Sequence, residues 1–378
     1  MRSAHGKKSL KSKVGWKKVQ SQGRMARQVR LGVVALAFLL TLILVGKTIA
    51  FLGSLSRPYS PDGVAAERQV NWSAPETLNL AVKYNDIYLL SLNPQSDQLT
   101  IFKVPSEAYV NASFGFGSWP IRSIYGLGQG ENPPMGAKLL ETTLSSVLGV
   151  SVDGYLILPD DKAGNLENLT VKIKQNPLTF MGLLRKSKTD LSLSEYWNFW
   201  WSLKKVRTDK IETVDLGDSG IAKTNVLADG SKVYSLDQYK LDAVIQKQLE
   251  DLNLRKESLS VGVFNATDHQ GLAEKAARIV TNMGGRVIFT TNLSTSLENS
   301  FVVERHQANK GKLSYTTSRL TKIFTSSACS KGGSIFSFKS QGKEPVCSPK
   351  DLTLSPSTAD VNIILGEDYY LRYNKGRE

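Results

Sequence analysis

The chain has 378 residues, a formal net charge of +14 and 41% hydrophobic residues. Its three histidines are scattered and its two cysteines form no C-x-x-C motif, which argues against a histidine-based hydrolase and against a zinc site. The positive charge is concentrated in residues 1–30, which hold ten lysines and arginines and no acidic residue, while residues 31–378 hold 38 basic and 34 acidic side chains. Such a tail is more typical of contact with an anionic membrane surface than of nucleic-acid binding.

An apolar segment, residues 31–55, follows the basic tail and contains a single charged residue, Lys47. A bilayer core is crossed by roughly 20 apolar residues, and a lysine near one face can extend its charge to the headgroups. Because the cations precede the segment, the positive-inside rule predicts a cytoplasmic N-terminus and an extracytoplasmic remainder. A cleaved signal peptide is the alternative, but no A-x-A-like site follows the segment. The sequence therefore predicts a single-pass signal anchor in the cell membrane, with membrane lipid as a partner.

Residues 56–76 contain three prolines and no periodic pattern, which is typical of a linker. The chain that follows is longer than one average core, so we expect two domains, 77–252 and 257–378. In the first, a Gly-rich aromatic loop is expected at 112–120. Its predicted strands and helices interleave and indicate a mixed sheet covered by helices, of α/β (α+β) class. The strands are expected at 77–84, 87–92, 98–104 and 151–159, and the helices at 136–149, 177–187 and 193–206.

The helix predicted at 193–206 contains the unusual cluster YWNFWW. Its aromatic residues recur at spacings of three and four, so one face of the helix is strongly apolar. A stripe of this kind usually packs into the core. The alternative is one wall of a groove for a long apolar ligand, which makes Trp197, Trp200 and Trp201 candidate binding residues.

The second domain begins with a predicted strand at 258–267, a helix at 271–285 and a strand at 286–292. This unit contains neither a G-x-G-x-x-G motif nor a P-loop, so a nucleotide site is not indicated. Further expected elements are a strand at 301–306, a helix at 314–326 and a strand at 360–366, which together predict a small α/β domain.

Cys329 and Cys347 flank a polar, Gly-rich stretch of this domain. In an oxidising exterior compartment such a pair often closes a disulfide, and this is the interpretation that we prefer. Two free thiols in a hairpin are the alternative. No histidine cluster accompanies them, so a metal site is not expected.

Four segments of the first domain follow one another in a distinctive order. They are KYNDIYLLSLNP (83–94), KVPSEAYV (103–110), PIRSIYGLG (120–128) and TLSSVLGVSVDGYLILP (143–159). In this order they resemble the LytR-CpsA-Psr family of cell-envelope proteins. Near the C-terminus, VGVFNATDHQGLAEKAARIV (261–280) and ADVNIILGED (359–368) resemble the LytR C-terminal domain. The chain is therefore similar to this family, with its sheet-and-helix domain followed by a small α/β domain.

The resemblance implies a function class. Active family members transfer glycopolymers from a polyprenyl-pyrophosphate carrier to peptidoglycan outside the membrane. In such phosphoryl transfer, arginines bind the diphosphate and acidic residues bind a divalent cation. The resemblance thus implies a polyprenyl-linked glycan or cell-wall polymer as partner, and Mg or Mn as cofactor if the chain is an enzyme.

The chain departs from the family at the positions that carry this chemistry. Lys83 replaces the first arginine and Asn85 the metal-binding aspartate, while Ser106 and Glu107 replace the arginine and aspartate of P-R-D. Arg122 stands at the asparagine position, and the later arginine-rich segment has no counterpart. We take Lys83, Asn85 and Ser106 as candidate ligand-binding residues and Glu107 and Arg122 as candidate catalytic residues. The alternative is that they are ordinary solvated surface residues.

Three hypotheses follow. The leading one is a non-catalytic module that binds polyprenyl-linked or cell-wall glycopolymer, because the loss of several preorganised cations should be severe for catalysis. The second is a divergent phosphotransferase in which Glu107 binds the metal and Lys83 and Arg122 bind the diphosphate. The third is an envelope scaffold or regulator that binds a protein partner through residues 257–378.

Overall fold

In the computed structural model the described residues are 33, 38–39, 41–48, 72, 74–161, 164–218, 220–226, 230, 232–305, 313–325 and 357–374. The chain divides into two compact units, Met1–Arg57 and Pro58–Glu378. In the first unit, residues 41–48 are helical and exposed. The basic tail, most of the predicted anchor and linker, and both cysteines of the predicted disulfide lie outside the described residues.

None of the helices among the described residues combines the length and the apolar character that crossing a membrane requires.

The first lobe of the second unit is built on a six-stranded mixed sheet. Its strand order is β7-β6-β1-β2-β3-β8. The first three strands form an antiparallel meander, while β6 pairs parallel to β1 and β8 pairs parallel to β3. The strands are β1 (Leu78–Tyr84), β2 (Asp86–Asn93), β3 (Gln98–Val104), β6 (Gly154–Ile157), β7 (Lys188–Thr189) and β8 (Ile211–Asp215).

Helices cover both faces of this sheet, because successive residues of each central strand point to opposite sides and both sides are apolar. In β1, Leu80 and Val82 pack on one face, and Ala81 packs on the other. The face of Leu80 is covered by α3 (Leu166–Gln175), α4 (Pro177–Leu184) and α5 (Leu193–Lys205). The face of Ala81 is covered by α1 (Ile121–Gln129), α2 (Gly136–Leu148) and α6 (Gln238–Leu249). The predicted mixed sheet covered by helices is confirmed.

Smaller elements complete the first lobe. The segment predicted as a Gly-rich loop at 112–120 is the turn and second strand of a hairpin, in which Phe114, Gly115 and Gly117 have positive φ. The hairpin strands are β4 (Tyr109–Ala112) and β5 (Gly117–Pro120), and a second hairpin is formed by β9 (Ala222–Val226) and β10 (Lys232–Leu236). A 3₁₀ turn, Thr208–Lys210, precedes β8.

The second lobe contains a four-stranded sheet of order β12-β11-β14-β13. Its strands are β11 (Ser260–Asn265), β12 (Arg286–Asn292), β13 (Phe301–Glu304) and β14 (Val361–Leu365). Its helices are α7 (Leu252–Glu257), α8 (Leu272–Asn282), α9 (Tyr315–Phe324) and α10 (Glu367–Asn374). Leu254 packs into this core, so α7 belongs with the second lobe.

The two lobes are joined by an arginine of α8 that reaches the end of α2. Arg278 donates hydrogen bonds to the backbone carbonyls of Ser146 and Val147, each at 3.0 Å, and to both carboxylate oxygens of Asp242 in α6. The last carbonyls of a helix lack intrahelical partners and carry partial negative charge, so a guanidinium satisfies them well. Asn282 adds a hydrogen bond to the carbonyl of Gly149 at 3.0 Å.

Candidate functional site

The turn between β1 and β2 consists of a single residue, Asn85. Tyr84 and Asp86 pair directly across it, and Asn85 has φ of 56°. Side chains rarely adopt this left-handed conformation, and asparagine tolerates it better than most residues. The identity of residue 85 is therefore explained in part by the backbone of the turn.

The side chain of Asn85 is used to hold a neighbouring loop. Its Nδ2 donates to the carbonyl oxygens of Asp161 and Gly164, at 2.6 and 2.7 Å, and its Oδ1 accepts from the backbone N–H of Asp161 at 2.9 Å. A carboxylate at this position has no hydrogen to donate to the two carbonyls. The structure therefore places this predicted ligand-binding residue in a turn-to-loop connection.

Lys83 lies beside the same loop. Its Nζ donates to both carboxylate oxygens of Asp160, at 2.9 and 3.0 Å, and lies 5.8 Å from the centre of the Tyr125 ring. Asp160 also accepts from the backbone N–H of Asn85 at 3.0 Å. The hydrogen bond from Lys83, joined by that of Asn85, lowers the pKa of the Asp160 carboxyl.

Arg122 and Glu107 form an ion pair at the start of α1. Both side chains are exposed, by 57% and 50% respectively. The backbone N–H of Arg122 donates to the carbonyl of Ser106 at 3.3 Å, which ties the two segments together. Arg122 and Tyr125 are three residues apart on α1 and are neighbours on its surface. Lys83, Tyr125, Arg122 and Glu107 therefore form one continuous surface, which we call the cation edge.

Ser106 is directed towards a different group of charges. Its Oγ donates to Asp86 at 2.7 Å, and Lys103 Nζ lies 3.3 Å from the other oxygen of Asp86 and 3.8 Å from Asp215. Asp86 pairs with Tyr84 and Lys83 pairs with Ile87, so Asp86 and Lys83 lie on opposite faces of the hairpin. The structure thus separates Ser106 from Lys83.

The acidic groups of the cation edge and its surroundings do not fit a divalent cation. In the described part of the chain no three His, Cys, Asp or Glu residues are grouped so that they could hold a metal ion. Asp160 is paired with Lys83, Glu107 with Arg122, and Asp86 with Lys103 and Ser106. Mg²⁺ and Mn²⁺ prefer several oxygen ligands around one centre, and these carboxylates are each paired with a cation instead.

The aromatic cluster of α5 is divided between core and surface. Trp200 is buried and donates from Nε1 to the carbonyl of Ile173 at 3.2 Å, and Tyr196 stacks on Phe180 with ring centres 4.1 Å apart. Trp197 and Trp201 are half exposed. The prediction of a core stripe is correct for Tyr196 and Trp200. It is wrong for Trp197 and Trp201, because the buried face follows positions 196, 199, 200 and 203.

The tryptophans and the cation edge are not brought together. Helix α5 covers one face of the six-stranded sheet, whereas Lys83 and Tyr125 lie on the other face with α1. Trp200 is enclosed by core residues and cannot line an open groove. The sequence-predicted site residues therefore fall into three places: the cation edge with Asn85, the Ser106–Asp86 contact, and α5.

A cavity of about 190 Å³ lies between the two lobes and was not expected from the sequence. Arg278, already bonded to α2, forms part of its wall, and Lys275 and Tyr373 lie beside it. Its lining residues come from β4, α2, α8 and α10, which are far apart in the sequence. No local motif marks such a cavity, because only the packing of the lobes creates it.

A search for similar proteins finds no matching family profile and no matching curated protein. Among solved structures, TagT of B. subtilis is similar at 14% identity and a TM-score of 0.33, over 50% of this chain and 96% of TagT. TagV of B. subtilis is similar at 10% identity and a TM-score of 0.35, over 46% of this chain and 95% of TagV. A TagT structure bound to LIIa-WTA is similar at 14% identity and a TM-score of 0.33, over 49% of this chain and 95% of that structure.

What this chain binds is decided by its own residues and their geometry.

Proposed function

We propose that the chain is a membrane-anchored, extracytoplasmic cell-envelope protein whose first lobe binds a polyprenyl-linked or cell-wall glycopolymer without transferring it. The observation that carries this proposal is the cation edge. Lys83 lies 5.8 Å from the centre of the Tyr125 ring, Arg122 lies one turn before Tyr125 on α1, and each cation is paired with a carboxylate. An anionic polymer or a diphosphate can bind these cations by replacing a carboxylate as their partner.

The Arg122–Glu107 pair of the cation edge can be exchanged for a ligand with a small loss of stability. Exposed pairs such as Arg122–Glu107 contribute only about 0–1 kcal/mol, because water and salt screen them. A phosphate that replaces Glu107 as the partner of Arg122 regains a charge-assisted hydrogen bond. The edge is therefore suited to reversible binding.

The same residues argue against transfer. Electrostatic stabilisation by preorganised cations and a metal ion supplies most of the acceleration in phosphoryl transfer. Lys83 is a point charge and does not reproduce the bidentate contact of an arginine. Glu107, the metal ligand of the phosphotransferase hypothesis, is paired with Arg122. We therefore prefer the hypothesis of binding without transfer to the phosphotransferase hypothesis.

The anchor is the second part of the proposal. Within residues 31–55, the described side chains Leu42, Ile43 and Leu44 are exposed on the helical segment 41–48. Contiguous exposed apolar side chains are unfavourable in water and are typical of a surface that contacts lipid or protein. Together with the basic residues 1–30, this supports a cytoplasmic N-terminus and an extracytoplasmic remainder.

The test is a binding titration of the full chain in lipid nanodiscs. The ligands are a polyprenyl-pyrophosphate-linked glycan and a soluble wall glycopolymer. We expect the double variant Lys83→Ala/Arg122→Ala to weaken binding at least tenfold, or about 1.4 kcal/mol. The matched control is Arg255→Ala, which removes an exposed arginine that is also paired with one carboxylate. Failure of the wild type to bind either ligand would overturn the proposal.

Turnover distinguishes binding from transfer. The same preparation is incubated with Mg²⁺ or Mn²⁺, and release of lipid phosphate is measured beside an active family member. We expect no release. Release that is abolished by Glu107→Ala would establish the phosphotransferase instead and would show that this carboxylate leaves Arg122 to bind metal.

A further inference from the structure

Helices α4 and α5 expose large apolar side chains on their outer faces. The exposed fractions are 79% for Leu178, 49% for Met181, 52% for Trp197 and 51% for Trp201. The inner faces are joined in the core, where the Phe180 ring lies 6.0 Å from that of Trp200. Helices α4 and α5 are thus held together through Phe180, and we call these four exposed residues the docking patch.

Within residues 177–206 the exposed charges all have one sign, and just beyond this range Arg207 is paired with the exposed Asp209. Between residues 177 and 207 the only acidic residues are Asp190 and Glu195, and both are buried. The exposed charged residues of that range are Arg185, Lys186, Lys204, Lys205 and Arg207. The ammonium group of Lys204 lies 5.7 Å from the centre of the Trp201 ring, at the border of patch and cations.

Exposed tryptophans beside a group of cations indicate a particular kind of partner. Tryptophan is enriched at the interface between water and hydrocarbon, where its ring is apolar and its N–H is solvated. Lysines and arginines near an anionic leaflet are attracted to its surface. A purely apolar partner would not require a rim of cations. An anionic lipid surface matches both the apolar docking patch and the cations around it.

The chain enters the folded unit at this helix. Trp72 is buried, and its backbone N–H donates to the carboxylate of Glu195 in the first turn of α5. Sixteen residues separate it from the predicted anchor, which ends at residue 55. In any conformation, sixteen residues span at most about 53–58 Å. The proposed anchor therefore limits how far α5 can lie from the bilayer.

We propose that the docking patch inserts into the headgroup region of an anionic bilayer and holds the first lobe on the membrane surface. This rests on the proposed anchor for its tether, but the contact is a separate one. Because α5 and Lys83 lie on opposite faces of the sheet, docking directs the cation edge away from the lipid. The edge then faces the wall polymer, which favours that ligand over a lipid-linked one.

The test uses the full chain reconstituted in vesicles that contain brominated lipid, which quenches tryptophan on contact. The variants are Trp197→Gln/Trp201→Gln and, as matched control, Trp119→Gln, which removes an exposed tryptophan of β5. In vesicles with phosphatidylglycerol we expect wild type and control to be quenched strongly. The double variant should lose at least half of the quenching that wild type shows.

Charge dependence gives the second readout. Lys204→Glu/Lys205→Glu should lower the quenching in phosphatidylglycerol vesicles and leave it unchanged in pure phosphatidylcholine. Equal quenching of wild type and the tryptophan double variant would overturn the proposal. A shift of oligomeric state in the double variant, without a change in quenching, would assign the patch to a second copy of the chain.

A flotation assay distinguishes failure of the proposed anchor from failure of the docking proposal. A chain that does not float with vesicles after a high-salt wash lacks the anchor, whatever its quenching. A chain that floats but shows no difference between the variants is anchored without docking. Glycopolymer binding is measured separately and depends on Lys83 and Arg122.

Discussion

Two clusters of charge, one at the cation edge and one between the lobes, use similar groups for different purposes. At the cation edge, Arg122 and Glu107 are about half exposed and are paired with each other. Between the lobes, Arg278 and Asp242 are only 16% and 19% exposed, and the guanidinium has hydrogen bonds to a carboxylate and two backbone carbonyls. Burial and the number of bonds, rather than the type of residue, separate them.

This difference in burial indicates which ion pair contributes to stability and which one is available for binding. An ion pair removed from water is costly to break, because each partner left alone is an uncompensated buried charge. An exposed pair is inexpensive to break and is free to exchange its partner. We therefore expect changes between the lobes to alter stability, and changes at the cation edge to alter binding.

The largest effect is expected for Arg278→Ala. The change removes the guanidinium from Asp242 and from the last carbonyls of α2 and leaves Asp242 only the hydrogen bond from Asn282, so the free energy of unfolding should fall by about 3 kcal/mol. Urea denaturation of the full chain in detergent micelles measures it. Arg255→Ala is the control, because its pair with Glu250 has a 67% exposed arginine and should change stability by less than about 1 kcal/mol. Equal effects of the two variants would remove the contrast between buried and exposed charge.

Asn85→Asp should have the next largest effect. It restores the acid of the family motif, but it places a carboxylate against the carbonyls of Asp161 and Gly164 and beside Asp160. Unsatisfied carbonyls and like charge should lower the free energy of unfolding by about 1–2 kcal/mol. The variant should gain no Mn²⁺ affinity by titration calorimetry. A more stable variant that binds Mn²⁺ would mean that residue 85 is directed to a metal and not to the loop.

The pH dependence of the Lys83–Asp160 pair sharpens the comparison further. Because the folded pKa of Asp160 is lowered, its contribution to stability is present above the ordinary carboxyl pKa of about 3.9 and is lost as pH falls through the depressed folded value. Lys83→Met should move the pKa of Asp160 upwards, towards that ordinary value. NMR titration of the carboxyl carbon measures the shift. An unchanged pKa would mean that the backbone N–H of Asn85 alone sets it.

The smallest effect on stability is expected for Glu107→Gln. The change removes an exposed partner of Arg122, so the free energy of unfolding should change by less than about 1 kcal/mol. Binding of an anionic glycopolymer should become stronger, because Arg122 no longer has a competing carboxylate. The phosphotransferase alternative requires the reverse, a loss of function. The same nanodisc titration decides between them.

Much of the fold follows from local patterns. The strands of the meander were predicted within one residue, as 77–84 against Leu78–Tyr84 and 98–104 against Gln98–Val104, because apolar side chains run through them without interruption. The helix α5 was predicted with equal accuracy, and its Ser192–Glu195 capping box marks its start.

Helix α1 was not predicted, and the reason is physical. It contains two glycines, which disfavour helices by about 1 kcal/mol each. Gly128 is needed nonetheless, because a Cβ there would lie 2.7 Å from the Cα of Gly136 in α2. The close packing of two helices outweighs the local preference. Helix α3 was missed because only three of its ten residues, Leu166, Thr170 and Ile173, are buried.

The candidate site, like the fold, could be predicted from the sequence only in part. The residue types and their departures from the family motifs could be read along the chain, so Lys83, Asn85, Ser106, Glu107 and Arg122 were candidates from the sequence. The ion-pair and hydrogen-bond partners of these residues could not be predicted from the sequence. The Lys83–Asp160 pair spans 77 positions and the Arg278–Asp242 pair spans 36, and no local pattern joins them.

The sequence by itself determined the main strands and several helices, because those depend on the spacing of apolar side chains within short segments. The tertiary structure alone decided that Asn85 binds a loop, that Trp200 is buried while Trp197 and Trp201 are exposed, and that a cavity lies between the lobes. These features depend on contacts between distant segments, and such contacts exist only when the sheets and helices have packed.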